Sequence, residues 1–121
     1  MGKYVIKQGK TGPYFVLKAA NGEPIGKSEI YSSEAAVKNG VESVKKNAAV
    51  AQIEDQTVDG WKNMTNPVFE LYKDKAGEFR FRLRAKNGEP ILASEGYSAK
   101  ASAIGGIESV KKNADSELVT E

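Results

Sequence analysis

Apolar and polar side chains alternate along several short stretches of this chain. Phe79, Phe81, Leu83 and Ala85 alternate with Arg80, Arg82 and Arg84, and Phe69 and Leu71 alternate with Glu70 and Tyr72. Nearer the start, Tyr4 and Ile6 alternate with Val5 and Lys7, and Phe15, Leu17 and Ala19 with Tyr14, Val16 and Lys18. A period of two sends one set to a core face and the other outward, so each stretch predicts a β-strand. Further along, the period lengthens. Val37, Gly40, Val41, Val44 and Ala48 share one face of a helix, as do Ala103, Gly106, Ile107, Val110 and Ala114. Ser32 or Ser33, and Ser98, stand where a helix N-cap accepts a bond from an orphan amide. Lys45-Lys46 and Lys111-Lys112 fall in the last turns, where positive charge complements the helix dipole. Gly40 and Gly106 each cost about 1 kcal/mol relative to alanine, and their place on the inner face predicts a close approach of helix to sheet.

The elements recur. Asn21-Gly22-Glu23-Pro24-Ile25 returns as Asn87-Gly88-Glu89-Pro90-Ile91, and Glu42-Ser43-Val44-Lys45-Lys46-Asn47-Ala48 returns as Glu108-Ser109-Val110-Lys111-Lys112-Asn113-Ala114. Ser28-Glu29 with Ser94-Glu95, and Tyr31-Ser32 with Tyr97-Ser98, keep the same spacing, which marks an internal duplication. Asn-Gly predicts a two-residue hairpin turn with positive φ angles, making the second and third strands antiparallel neighbours. Pro24 and Pro90, lacking a backbone donor, suit the start of the third strand. Val50 to Ile53 and Glu117 to Thr120 predict a fourth strand after each helix. The expected fold is α+β, a tandem duplication of a β-β-β-α-β unit, with a mainly antiparallel sheet and two helices packed on one face. Residues 1–53 and 68–121 form the two repeat units and residues 54–67 connect them, together making one compact domain. A unit this short buries too little core to stand alone easily, so the copies share one, side by side or by exchanging their last strands.

The run from Phe69 to Leu83, with Asn87-Gly88, Ser94-Glu95-Gly96-Tyr97 and Gly106 to Ala114, resembles the YegP-like family. These are the small bacterial UPF0339 proteins, also described as a domain of unknown function. The resemblance takes in both copies and leaves out the connecting segment. It implies β-β-β-α-β units that pair, in tandem or as dimers, with swapped final strands in one continuous sheet. It implies no established activity, cofactor or catalytic residue. Copy one departs from the pattern with Ile30 where copy two has Gly96, and with Gly26 where it has Leu92.

Composition narrows the chemistry. The 121 residues contain no cysteine, which removes disulfides and thiolate nucleophiles, and no histidine, the side chain that titrates near neutrality. No cofactor, no metal site and no enzymatic activity are expected. Lys and Arg number 18 against 16 Asp and Glu, a net charge of +2, so no global field draws the chain to nucleic acid or anionic lipid. No stretch approaches the roughly 20 apolar residues of a membrane span, and no apolar run of signal-peptide length begins the chain. A cytoplasmic monomer with its repeats paired internally, and no membrane partner, is the expectation.

Arg80, Arg82 and Arg84 are the only arginines, and alternation places them on one face of one strand. With Lys86 extending the row and Tyr72 on the neighbouring strand, they are candidates to hold an anionic partner, nucleic acid or acidic peptide. The plainer alternative is a solvated face in which Glu70 and Glu78 supply partners. Copy one presents Val5, Tyr14 and Val16 instead. That apolar face is covered by the connecting segment with Trp61 and Met64, or it is a surface for another protein. Ser94-Glu95-Gly96-Tyr97 gathers a hydroxyl, a carboxylate and a phenol, but its echo in Ser28-Glu29-Ile30-Tyr31 and the absence of a base favour a structural junction. The functional expectation is a non-catalytic binding module for an anionic partner. A protein–protein interaction protein is the alternative, and a carboxylate-dependent enzyme ranks last.

Overall fold

The computed structural model describes residues 2–120; Met1 and Glu121, at the ends of the two expected units, lie outside the described residues. The order of elements is β1 (Lys3–Gln8), β2 (Pro13–Lys18), β3 (Pro24–Lys27), α1 (Glu34–Ala48), β4 (Gln52–Asp55), β5 (Val68–Lys73), β6 (Phe79–Arg84), β7 (Pro90–Ala93), α2 (Lys100–Asn113) and β8 (Glu117–Thr120). The strands form one sheet in the order β4-β5-β6-β7-β3-β2-β1-β8. The last strands are exchanged: β4 pairs in parallel with β5 of the second copy, and β8 in parallel with β1 of the first. Every other pairing is antiparallel. Each helix packs on strands of both copies and so carries the chain across to the other repeat's edge. At the sheet's centre Lys27 of β3 faces Ala93 of β7. These are equivalent positions of the duplication, so an approximate two-fold axis passes between them.

The inward set of the alternation forms the core with the apolar faces of both helices. Tyr4, Phe15, Leu17, Phe69, Leu71, Phe81 and Leu83 lose all contact with solvent. Aromatic geometry is duplicated. Tyr4 meets Phe15 edge-on at 5.6 Å and Phe69 meets Phe81 edge-on at 6.1 Å. Tyr31 stacks on Phe15 and Tyr97 on Phe81, at 6.2 and 6.4 Å. These two tyrosines explain the helix glycines. A Cβ at Gly40 would lie 2.4 Å from the Tyr31 hydroxyl, and one at Gly106 would lie 2.6 Å from that of Tyr97. The Tyr4 hydroxyl donates to the Ala114 carbonyl at 2.6 Å, tying the end of α2 to the first copy, and burial pushes its pKa up.

Some local details differ from expectation. Among the described residues no non-glycine residue has positive φ, so the Asn-Gly turns are not two-residue hairpins with both angles positive. Gly22 donates to the Ala19 carbonyl and Ala19 to that of Glu23, a three-residue loop in which Gly22 alone, at φ 85°, supplies the left-handed residue. The Asn21 side chain accepts from the Glu23 amide and keeps the asparagine out of that region. Ser33 caps α1 by accepting from the Ala36 amide, whereas Ser98 does not cap α2. The cap position there is Ala99, equivalent to Ser33, and Lys100 beside it reaches Asp55 of β4 at 2.6 Å. β4 begins at Gln52 rather than Val50, which is 68% exposed, because Val50 and Ala51 still bond back to Asn47 at the helix end.

Both departures between the copies are packing complements. A Cβ at Gly26 would lie 2.7 Å from Leu92, its own equivalent across the axis, so the centre has room for one large side chain. Copy one combines Gly12 with Ile30, and copy two combines Glu78 with Gly96. A Cβ on Gly96 would press on the Glu78 carboxylate, whereas one on Gly12 would meet the Tyr31 carbonyl oxygen first and Ile30 at 3.2 Å.

Candidate binding surface

With both helices on one side, the outward set of the strands lines a helix-free face. The arginine row lies there, and carboxylates meet it. Arg82 and Arg84 both donate through Nε to Glu70 Oε1, at 2.5 and 2.7 Å, and Arg80 donates through Nε to Asp74 at 2.6 Å. Three guanidinium groups thus share two carboxylates. The expected partner Glu70 is present; Glu78, packed against Gly96, acts on Arg80 as a nearby charge, and Asp74 supplies the direct bond. Burial raises the Glu70 pKa, but the hydrogen bonds and charges of Arg82 and Arg84 outweigh it and hold the carboxyl below its ordinary value. Asp74 is also lowered, first by its bond from Arg80. Each pair uses the inner nitrogen of the guanidinium. Among the described residues, the terminal amino groups of Arg82 make no hydrogen bond, while Arg84 spends one on the Gly88 carbonyl. The Arg82 guanidinium lies 4.6 Å from the centre of the Tyr72 ring. Lys86 stands beyond the row: β6 ends at Arg84, and Lys86 lies in the hairpin loop, where its amide donates to the Asn47 side chain at the end of α1.

The first copy's apolar positions are less open than alternation implied. Val5 is fully buried and Val16 is 8% exposed. Val5 is flanked by Val16 of β2 and by Val119 of β8, the edge strand that the second copy lends to the first. The connecting segment does not provide the cover. It runs between β4 and β5, and the Met64 amide donates to Glu54 of β4, at the opposite end of the sheet from β1. Trp61, 42% exposed, therefore belongs with that end and not with Val5, Tyr14 and Val16. Tyr14 is half-buried, with the Lys27 ammonium 5.3 Å from its ring centre.

On this face a groove of about 680 Å³ opens around the central pair of strands, β3 and β7, with Tyr14 in its wall. Val16, Leu92, Pro24 and Pro90 supply its apolar surface; Lys7, Lys18, Lys27 and Arg80 bring positive charge, against Glu29 and Glu95. Residue-by-residue reading missed this groove, since it forms only where β3 meets β7. Its one sequence signal is the Gly26/Leu92 exchange, which marks the crowded centre.

The serine–glutamate–tyrosine junctions are structural. Ser28 Oγ accepts from the Phe15 amide and donates to the Glu29 carbonyl; Ser94 Oγ does the same with Phe81 and Glu95. Burial, then the nearby Glu29 and Glu95 respectively, push the Tyr31 and Tyr97 pKa values up. A polar network at the β4 end also escaped sequence reading. Glu54 and Glu70 face each other across the β4–β5 pair, and the Gln56 amide donates to both, at 2.7 and 3.2 Å. Among the described residues no cluster of three potential metal ligands forms, and no helix is long and apolar enough to cross a membrane.

Known proteins share this arrangement. A family model described as "Domain of unknown function (DUF1508)" matches twice, at residues 10–55 and 74–121, once in each copy. A UPF0339 protein of Mannheimia succiniciproducens is 40% identical over 122 residues, covering 100% of this chain and 95% of that protein. The "UPF0339 protein in ptx operon 5'region" of Stutzerimonas stutzeri is 70% identical over 46 residues, 38% of this chain and 41% of that relative's length. The solution NMR structure of yegP from E. coli, described as a protein of unknown function, has a TM-score of 0.80 at 29% identity, covering 99% of this chain and 92% of that one.

Proposed function

Because the chain belongs to the DUF1508 (UPF0339) family, whose description carries no activity, we propose a function from its own surface: a non-catalytic module that binds an anionic partner on the helix-free face of the sheet. The observation that carries this reading is the groove on the two-fold axis, with Lys27 and Arg80 in its walls and Arg82 and Arg84 continuing the cationic row beside it. The groove falls within the volume range of ligand sites, and its polar groups converge on an apolar bed. Guanidinium forks match the oxygens of phosphate and carboxylate, and the Nε pairing leaves the Arg82 fork facing outward from its partner. The absence of catalysis is part of the proposal. Both junction serines spend their hydroxyls on the backbone, Glu70 and Asp74 are engaged by arginines, and Glu54 is engaged by Gln56 and the Met64 amide.

The test is an amide NMR titration of the full chain with inorganic tripolyphosphate at low and near-physiological salt. Shifts should cluster at Lys27, Ser28, Arg80, Arg82 and Ser94 and weaken as salt rises. Shifts confined to the lysine pairs ending the helices, Lys45-Lys46 and Lys111-Lys112, would refute it, as would no shifts at all.

A further inference from the structure

This inference rests on the anion-binding reading and names the ligand: we propose that the helix-free face binds single-stranded nucleic acid, with bases stacking at Tyr14 and Tyr72. The duplication supplies the main argument. In copy one, Lys7 of β1 lies opposite Tyr14 of β2; in copy two, Tyr72 of β5 lies opposite Arg80 of β6. The aromatic residue changes strand between copies, yet each copy keeps one tyrosine and one cation paired across its first hairpin. A core requirement does not explain this, since both tyrosines point away from the core and are half-buried. An acidic peptide would use the cations but would have no need of a ring in the first hairpin of each copy.

The chemistry of a single strand fits both features. Each base offers a flat face to an aromatic ring or a guanidinium plane, and each linkage offers a phosphate to a neighbouring cation. Arg82 lies 4.6 Å from the Tyr72 ring centre, making a layered platform whose outer plane takes a base. Lys27 is exposed on a flexible stem, so a base replaces it on Tyr14 while its ammonium moves to the adjoining phosphate. β2 and β5 are four strand intervals apart, about 19 Å, a span for a short extended strand crossing the groove. Among the described residues no helix or ribbon projects from this face to enter the groove of a duplex.

Fluorescence anisotropy of the full chain with a labelled oligothymidylate tests the inference. An abasic strand of equal length and poly-aspartate serve as further probes, at near-physiological salt. The oligothymidylate should bind at least about tenfold more tightly than the abasic strand. Tyr14→Leu and Tyr72→Leu should each lower its affinity about tenfold and leave the abasic strand unchanged, while Tyr14→Phe, which keeps the ring, retains binding. Lys38→Gln on the opposite side of the molecule should change nothing. Amide spectra of the leucine variants confirm the fold, and the phenylalanine variant separates loss of the ring from loss of structure. Equal affinity for the two strands, or unchanged binding by both leucine variants, would overturn base stacking while leaving the anionic face. Binding of poly-aspartate alone would assign that face to acidic peptides. Failure of all three probes would end both readings.

Discussion

Two adjacent glycines in α2 should answer the same substitution with opposite signs. Gly105 faces solvent, and a Cβ built there meets no atom within 4 Å. Gly105→Ala therefore keeps only the gain in helix propensity, about 1 kcal/mol. At Gly106 the same methyl group comes within 2.6 Å of the Tyr97 hydroxyl and 2.8 Å of Phe81 Cε2. Tyr97 stacks on Phe81, whose strand is paired on both sides, so the added methyl presses on two packed rings. Overpacking of this kind costs roughly 1–3 kcal/mol. The propensity gain is common to both variants and cancels in their difference, which isolates the steric effect at about 2 kcal/mol. Urea unfolding followed by circular dichroism should place the Gly105→Ala midpoint above wild type and the Gly106→Ala midpoint below it, with unchanged m values. Thermal midpoints should lie roughly 8 °C apart. Adding Tyr97→Phe to Gly106→Ala removes the nearest atom and should recover part of the loss. If Gly106→Ala proved as stable as Gly105→Ala, the seating of the helix on Tyr97 would be wrong.

At the centre of the sheet, Gly26→Leu should destabilise by about 1–3 kcal/mol, and Leu92→Gly in the same chain should restore much of it, because the two positions compete for one space. Chemical denaturation of the single and double variants checks this. Ala99→Ser should add about 1 kcal/mol by supplying the cap α2 lacks, whereas Ser33→Ala should remove a similar amount from α1. Thermal unfolding of the two proteins should move in opposite directions. Glu70→Gln should lower stability by about 2 kcal/mol at neutral pH, by weakening its bonds from Arg82 and Arg84. The folded-state pKa of Glu70 lies below its unfolded value, so its contribution is full above the unfolded pKa and disappears as pH falls through the folded one. Denaturation curves of variant and wild type should converge as the solution is acidified; a gap that persisted in strong acid would show that the loss is not electrostatic.

The repeat, the strands and the helix faces were legible because each depends on side chains close together in the chain. Alternation in Phe79 to Arg84 sets which residues share a face whatever lies beside that strand. The position of Gly40 and Gly106 on the inner helix face signalled a close approach, although not that a tyrosine hydroxyl was the neighbour. The arginine row was legible for the same reason, and Glu70 could be named as its partner from the hairpin register. The error over Ser98 shows the limit of local reading, since a serine one residue early cannot reach the amide that Ser33 reaches.

What the sequence determined by itself was the unit: its strands, its helix and its duplication, all products of periodicity and short-range hydrogen bonding. The residues left open whether the two units join side by side or by exchanging their last strands; the tertiary structure decided for the exchange that the family resemblance implies. The chain that follows α1 could pair with either repeat, and nothing within that stretch distinguishes β1 from β5 as its neighbour. From that choice follow the burial of Val5 beside Val119, the attachment of the Trp61 segment to the far end of the sheet, and the groove between β3 and β7. These features depend on contacts between residues far apart in sequence. Their geometry exists only once both copies close on a common core.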